Sequence, residues 1–150
     1  MSTRSAIAIT REDGCVHAIY CHYDGDLSHV GKMLNMHYTD VAKVQRLIEL
    51  GDISSLYERI EPHQNEKHSY REPAEGVVVA YHRDNGEPYS KPNEYVSKDE
   101  FFDKASEHFG AGYVYVFKEG TWWYNDSDQP GWRRLDEAVK EATISGEWDD

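Results

Sequence analysis

Cys15-Val16-His17-Ala18-Ile19-Tyr20-Cys21-His22-Tyr23-Asp24-Gly25-Asp26 reads as a strand that runs into a tight turn and then into a helix. Val16, Ala18 and Tyr20 alternate onto one face of this strand, and His17, Ile19 and Cys21 onto the other. Both faces are rather apolar, which predicts a strand inside a covered sheet. The end of the stretch is polar. From Ile19 to Asp26 it offers an imidazole and two carboxylates at a strand-to-loop junction, where a rigid scaffold presents side chains to a ligand.

Upstream, Ser5 to Thr10 is a second apolar, β-branched run, and Glu12-Asp13-Gly14 separates it from the first. Asp-Gly between two such runs predicts a β-hairpin, because its tight turn needs positive φ. Downstream, Leu27, Val30, Met33, Leu34 and Tyr38 fall at helical spacing. Thr39 can cap a second helix carrying Val41, Val44, Leu47 and Ile48, which Gly51 ends. Ile53 to Leu56 reads as a short turn, and the polar, proline-containing stretch from Glu58 to Glu75 as a long loop of a length that is often functional or mobile.

Val77 to Tyr81 predicts a buried strand leading into His82-Arg83-Asp84-Asn85-Gly86-Glu87. A second polar loop follows. Ser97 and Glu100 form a capping box for a helix with Phe101, Phe102, Ala105 and Phe109 inward, closed by Gly110. Tyr113–Phe117 and Thr121–Tyr124 flank Glu119-Gly120 as a second hairpin, Arg133 to Thr143 predicts a last helix, and residues 145–150 an acidic tail. The order β-β-α-α-β-α-β-β-α predicts one α+β domain over residues 1–150, with a mostly antiparallel sheet of about five strands and three to four helices packed on it.

The 150 residues suffice to bury a core without disulfides or metal. A hydrophobic fraction of 39% is low, but aromatics supply 13%, and each buries a large area. The net charge of −12 opposes binding to polymeric nucleic acid, since phosphates would be repelled over most of the surface. It leaves open an acidic inhibitor or DNA mimic that engages a basic partner, although the acids are mostly interleaved with Arg and Lys. Cys15 and Cys21, six apart on one strand, would lie ~20 Å apart, so two free thiols in a reducing cytoplasm are expected. Met1-Ser2-Thr3-Arg4 lacks an apolar signal region and no run of about 18 apolar residues follows, so neither a secretion signal nor a membrane span is expected.

Two constellations could carry chemistry. His22, Asp24 and His29, with His82 and Asp84 repeating the His-x-Asp spacing, are ligand types for a divalent ion that would activate water in a phosphoesterase. Eight histidines meet that spacing easily by chance, and Asp24-Gly25 is a common turn pair. No nucleophile elbow, Walker pattern or glycine-rich dinucleotide turn is present. The second constellation combines cations with rings. Arg4, Arg83, Arg133 and Arg134 can clamp phosphate, while Tyr23, Tyr81, Trp122 and Trp132 can stack on a base. His22 and Asp24 would then read base or ribose edges. This set needs no cofactor, no metal and no catalytic residue.

Ser2-Thr3-Arg4-Ser5-Ala6-Ile7, Ile19 to Gly25, Gly51 to Leu56 and Val78-Val79-Ala80-Tyr81-His82-Arg83-Asp84-Asn85-Gly86-Glu87 together resemble segments of a widespread family of small phage proteins. The resemblance covers most of the chain up to Tyr124. It implies an anti-defence role in the host cytoplasm. With the Arg and aromatic set, it leads to the expectation of a homo-oligomeric sponge that sequesters a cyclic nucleotide signal of the CBASS or Thoeris type without hydrolysis.

Overall fold

The computed structural model describes residues 3–145, so residues 146–150 of the expected acidic tail lie outside the described residues. β1 (Ser5–Thr10) and β2 (Val16–Cys21) form the expected antiparallel hairpin, with Ser5 opposite Cys21 and Thr10 opposite Val16. Gly14 takes φ +87° in its turn, where its amide donates to the Arg11 carbonyl.

Among the described residues the sheet around this hairpin has eight strands instead of about five, and it is mixed, with five antiparallel pairings as expected in kind and two parallel ones that were not expected. Its order is β4 (Val79–Ala80), β3 (Ile53–Ser55), β2, β1, β6 (Tyr113–Lys118), β7 (Thr121–Asp126) and β8 (Arg133–Arg134), and β5 (Asn93–Tyr95) lies beside β2. β3 (Ile53–Ser55) runs parallel to β2, and β6 (Tyr113–Lys118) parallel to β1. β4 (Val79–Ala80) is antiparallel to β3, and β7 (Thr121–Asp126) to β6 through the expected Glu119-Gly120 turn. β5 (Asn93–Tyr95) pairs with Val16–Ala18 of β2, and β8 (Arg133–Arg134) with β7. β3, β4, β5 and β8 span two or three residues each, too short to show a hydrophobic period.

Among the described residues five α-helices cover the sheet instead of three to four. A π-helical turn (Leu27–Gly31) leads directly into α1 (Lys32–His37), and α2 is Val41–Glu49. The cap of α2 is Asp40, whose carboxylate accepts from the Ala42 amide at 3.2 Å, and not Thr39. α3 (Tyr81–Asn85) is a single turn that starts where a strand was expected to end. α4 (Lys98–Phe109) has the Ser97 cap, with Oγ accepting from the Glu100 amide at 3.1 Å, and closes on left-handed Gly110. α5 (Leu135–Ser145) begins two residues later than expected, because Arg133 and Arg134 pair their backbone with Tyr124 and Trp123.

The two faces of the sheet differ in side-chain size. Ala6, Ala8 and Ala18 lie on one face and let α4 approach with Phe101 and Ala105. Ile7, Ile9, Ile19, Tyr115 and Tyr124 fill the other face, against Leu34, Val44, Leu47 and Leu135 of the remaining helices. Burying such side chains contributes roughly 1.5–3 kcal/mol each, which sets the hairpin as the centre of the fold. Cys15 and Cys21 are free, and burial pushes the Cys21 thiol up to about 12. Among the described residues no helix is long and apolar enough to cross a membrane.

Candidate functional site at the tyrosine-rich end of the sheet

The residues after Cys21 continue β2 along β3. The His22 amide donates to the Ile53 carbonyl at 3.1 Å, and the Tyr23 amide to the Ser54 carbonyl at 3.0 Å. On the far side of β3 the Tyr81 amide donates to the Asp52 carbonyl at 3.2 Å. Asp52 also accepts from the Tyr20 amide through its carboxylate, at 3.0 Å. This ladder brings the polar end of residues 19–26 beside the start of α3.

The side chains converge accordingly. Tyr20 Oη and His22 Nδ1 are 2.6 Å apart, and the Tyr23 ring stands edge-on to His22 at 4.5 Å. Tyr20 stacks on Phe109 at the end of α4, with 6.4 Å between centroids and 6° between planes. Burial raises the Tyr20 phenol, and the positive charge of Arg4 draws it back. Burial pushes the Tyr81 phenol up to about 12, opposed by its hydrogen bond with Ser54 and supported by Tyr70, Tyr20 and Tyr23. Tyr70, from the long loop, lies 5.8 Å from Tyr81. Tyr23 is 45% exposed, so its ring is open to a ligand.

Of the residues expected to bind ligand, His22, Tyr23 and Tyr81 lie at this end of the sheet, Asp24 adjoins them, and Arg4 acts on it through its charge. Asp24 is exposed, holds φ +55°, and its carbonyl accepts from Val30, so its backbone makes the turn. The others lie elsewhere. Arg83 is spent inside the protein, donating to the Ile60 and Val78 carbonyls at 2.7 Å each and to Asp84. Arg134 pairs with Asp136 on the surface. Trp122 belongs to the Ile-rich core and donates to the Tyr38 carbonyl at 2.8 Å. Trp132 packs on the opposite face, against Phe102, and donates to Asp99. Arg133 enters a separate cavity with Tyr124 and Asp126.

The residues weighed as metal ligands are likewise dispersed into structural contacts. The Nε2 atom of His29 is 2.7 Å from the Leu56 carbonyl, and Nδ1 of His82 is 2.7 Å from the Glu87 carbonyl. Asp84 accepts from the Ala80 amide, Arg83 and His68. Among the described residues no three His, Cys, Asp or Glu side chains are grouped to hold a metal ion.

Sequence reasoning missed Tyr20, Ser54, Tyr70 and Phe109. Tyr20 carries a usable signal, since it sits two residues before His22 near the end of β2. Tyr70 carries none, because only the folding of its loop delivers it. No family model, no curated protein and no solved structure matches this chain.

Proposed function

We propose that this chain is a non-catalytic binding protein that sequesters a cyclic nucleotide, of the kind that signals in CBASS or Thoeris immunity, at the tyrosine-rich end of its sheet. The observation that carries the reading is that His22 and Tyr23, Tyr81 and, through its charge on the Tyr20 phenol, Arg4 gather from three separate segments at one end of the sheet. Tyr23 and Tyr81 supply ring faces for a base, Arg4 supplies a guanidinium for phosphate, and His22 reads a polar edge. The resemblance to phage proteins fits such a role in the host cytoplasm. A homo-oligomer would enclose the ligand by setting two of these open surfaces face to face.

The test is a thermal-shift screen of the purified chain over cyclic dinucleotides, cyclic oligonucleotides and cyclic ADP-ribose-type compounds, followed by denaturation and recovery of the ligand. A stabilising ligand recovered intact is expected, and Arg4→Ala or Tyr23→Ala should remove the shift. No shift with any of these compounds would sink the reading, and conversion of the ligand would replace it with an enzyme.

A further inference from the structure

Between the start of β6, the end of β7, the π-helical turn and α5 lies a cavity of about 260 Å³. One wall is aromatic, with the Tyr113 and Tyr124 rings stacked at 6.5 Å and 23°. Carboxylates surround it: Asp26 from the turn before Leu27, Asp126 and Asp128 from the end of β7 and the loop beyond, and Glu141 from α5. Their convergence shows on the Tyr113 phenol, which is raised first by burial and then by Asp26, Asp128 and Asp126.

The fold already places one cation in this cavity. Arg133 reaches in from β8 with its guanidinium 5.1 Å from the Tyr124 ring centre and Nη2 3.3 Å from Asp126. Asp126 is also tied to the Tyr124 hydroxyl and the Gln129 amide. A cation held over a ring face and against a carboxylate gains from the ring quadrupole and from a charge-assisted hydrogen bond. The rest of the lining holds the Tyr113 ring together with Asp26, Asp128 and Glu141. Asp26 accepts from the Ser28 hydroxyl at 2.7 Å, while Asp26, Asp128 and Glu141 make no ion pair among the described residues.

The geometry points to a second binding site here, for an ammonium or guanidinium group that sits beside Arg133, on the Tyr113 face and among Asp26, Asp128 and Glu141. The group is carried by a small free amine or by a Lys or Arg side chain of a protein. A phosphate is the wrong occupant, since it would meet four carboxylates against one guanidinium, whose Nη2 already faces Asp126 and whose buried Nε lacks a partner among the described residues. The site is independent of the nucleotide surface and stands or falls separately from it.

Calorimetric titration of the full chain with putrescine, agmatine and an Arg-containing hexapeptide tests this site, with butane-1,4-diol as the uncharged control. Saturable binding of at least one cationic probe and none of the diol is expected, weakened roughly tenfold by Asp128→Asn or Glu141→Gln. Both positions are exposed, so these variants leave the core intact. Tighter binding of the free amines assigns the site to a small molecule, and binding of the peptide alone assigns it to a protein side chain. No saturable binding of any probe overturns the proposal. So does equal weakening by Asp103→Asn on α4, which would show mere counterion attraction to a chain of net charge −12.

Discussion

His68 Nε2 sits 3.1 Å from Asp84 Oδ2, with the two side chains only 3% and 4% exposed. This pair joins the middle of the long polar loop to α3. His68 Nδ1 accepts from the Ala74 amide at 2.9 Å, which leaves Nε2 as the nitrogen that donates to Asp84. Arg83 completes the group from the other side of Asp84 and spans to the Ile60 and Val78 carbonyls. A segment that reads as a free loop is therefore fastened by a buried polar network, and Tyr70 is carried to the tyrosine-rich surface as a result.

Arg83→Ala should act on stability before it acts on any ligand. It removes the guanidinium that faces a buried carboxylate and leaves two carbonyls without their donor, a loss of roughly 3 kcal/mol. Urea unfolding monitored by Trp fluorescence would show the lower midpoint. An unchanged midpoint with lost ligand binding would instead return Arg83 to the binding surface.

Gly25→Ala should destabilise the chain by roughly 1–3 kcal/mol through overpacking. A Cβ at Gly25 would come within 2.6 Å of Ser5 Cβ and 2.8 Å of the Thr3 carbonyl, both in or beside the central strand. The Gly25 carbonyl also accepts the buried Tyr115 hydroxyl at 2.7 Å, so the turn cannot swing away. Thermal unfolding of the purified variant checks this, and a melting temperature equal to that of the parent would contradict it.

Glu66 should make stability depend on acid. Its hydrogen bonds from Arg59, then from the His63 amide, lower its carboxyl from 4.5 to about 2. A group depressed in the folded state stabilises above its ordinary value and loses that contribution as pH falls through the folded one. The stability difference between the parent and Glu66→Gln should thus be full at neutral pH and shrink between about 4.5 and about 2. Denaturant titrations across that range read it directly, and a difference independent of pH would be the contrary result.

Ser97→Ala should cost ~1 kcal/mol, because the Glu100 amide at the start of α4 loses its acceptor. Ser97→Asp should restore most of the loss. Amide exchange at the first turn of α4 would locate the effect, and protection unchanged in Ser97→Ala would refute it.

The sequence alone determined the elements with a long period or a strong local signal. The β1–β2 hairpin, the apolar stripe of α2, the capping box and Gly110 of α4, and the β6–β7 hairpin are all local, since each rests on residues close in the chain. The polar end of residues 19–26 was legible as a turn after a strand, and the His22 and Tyr23 rings do meet there. What only the tertiary structure decided is everything set by pairing at a distance. The parallel β1–β6 contact, the two- and three-residue strands and the placement of Tyr81, Tyr70 and Phe109 depend on partners far along the chain. The same holds for the four arginines. An isolated Arg in a sequence shows a charge but not its counterion, and here Asp84, Asp126 and Asp136 claim Arg83, Arg133 and Arg134, while Arg4 stays exposed and its charge acts on the Tyr20 phenol.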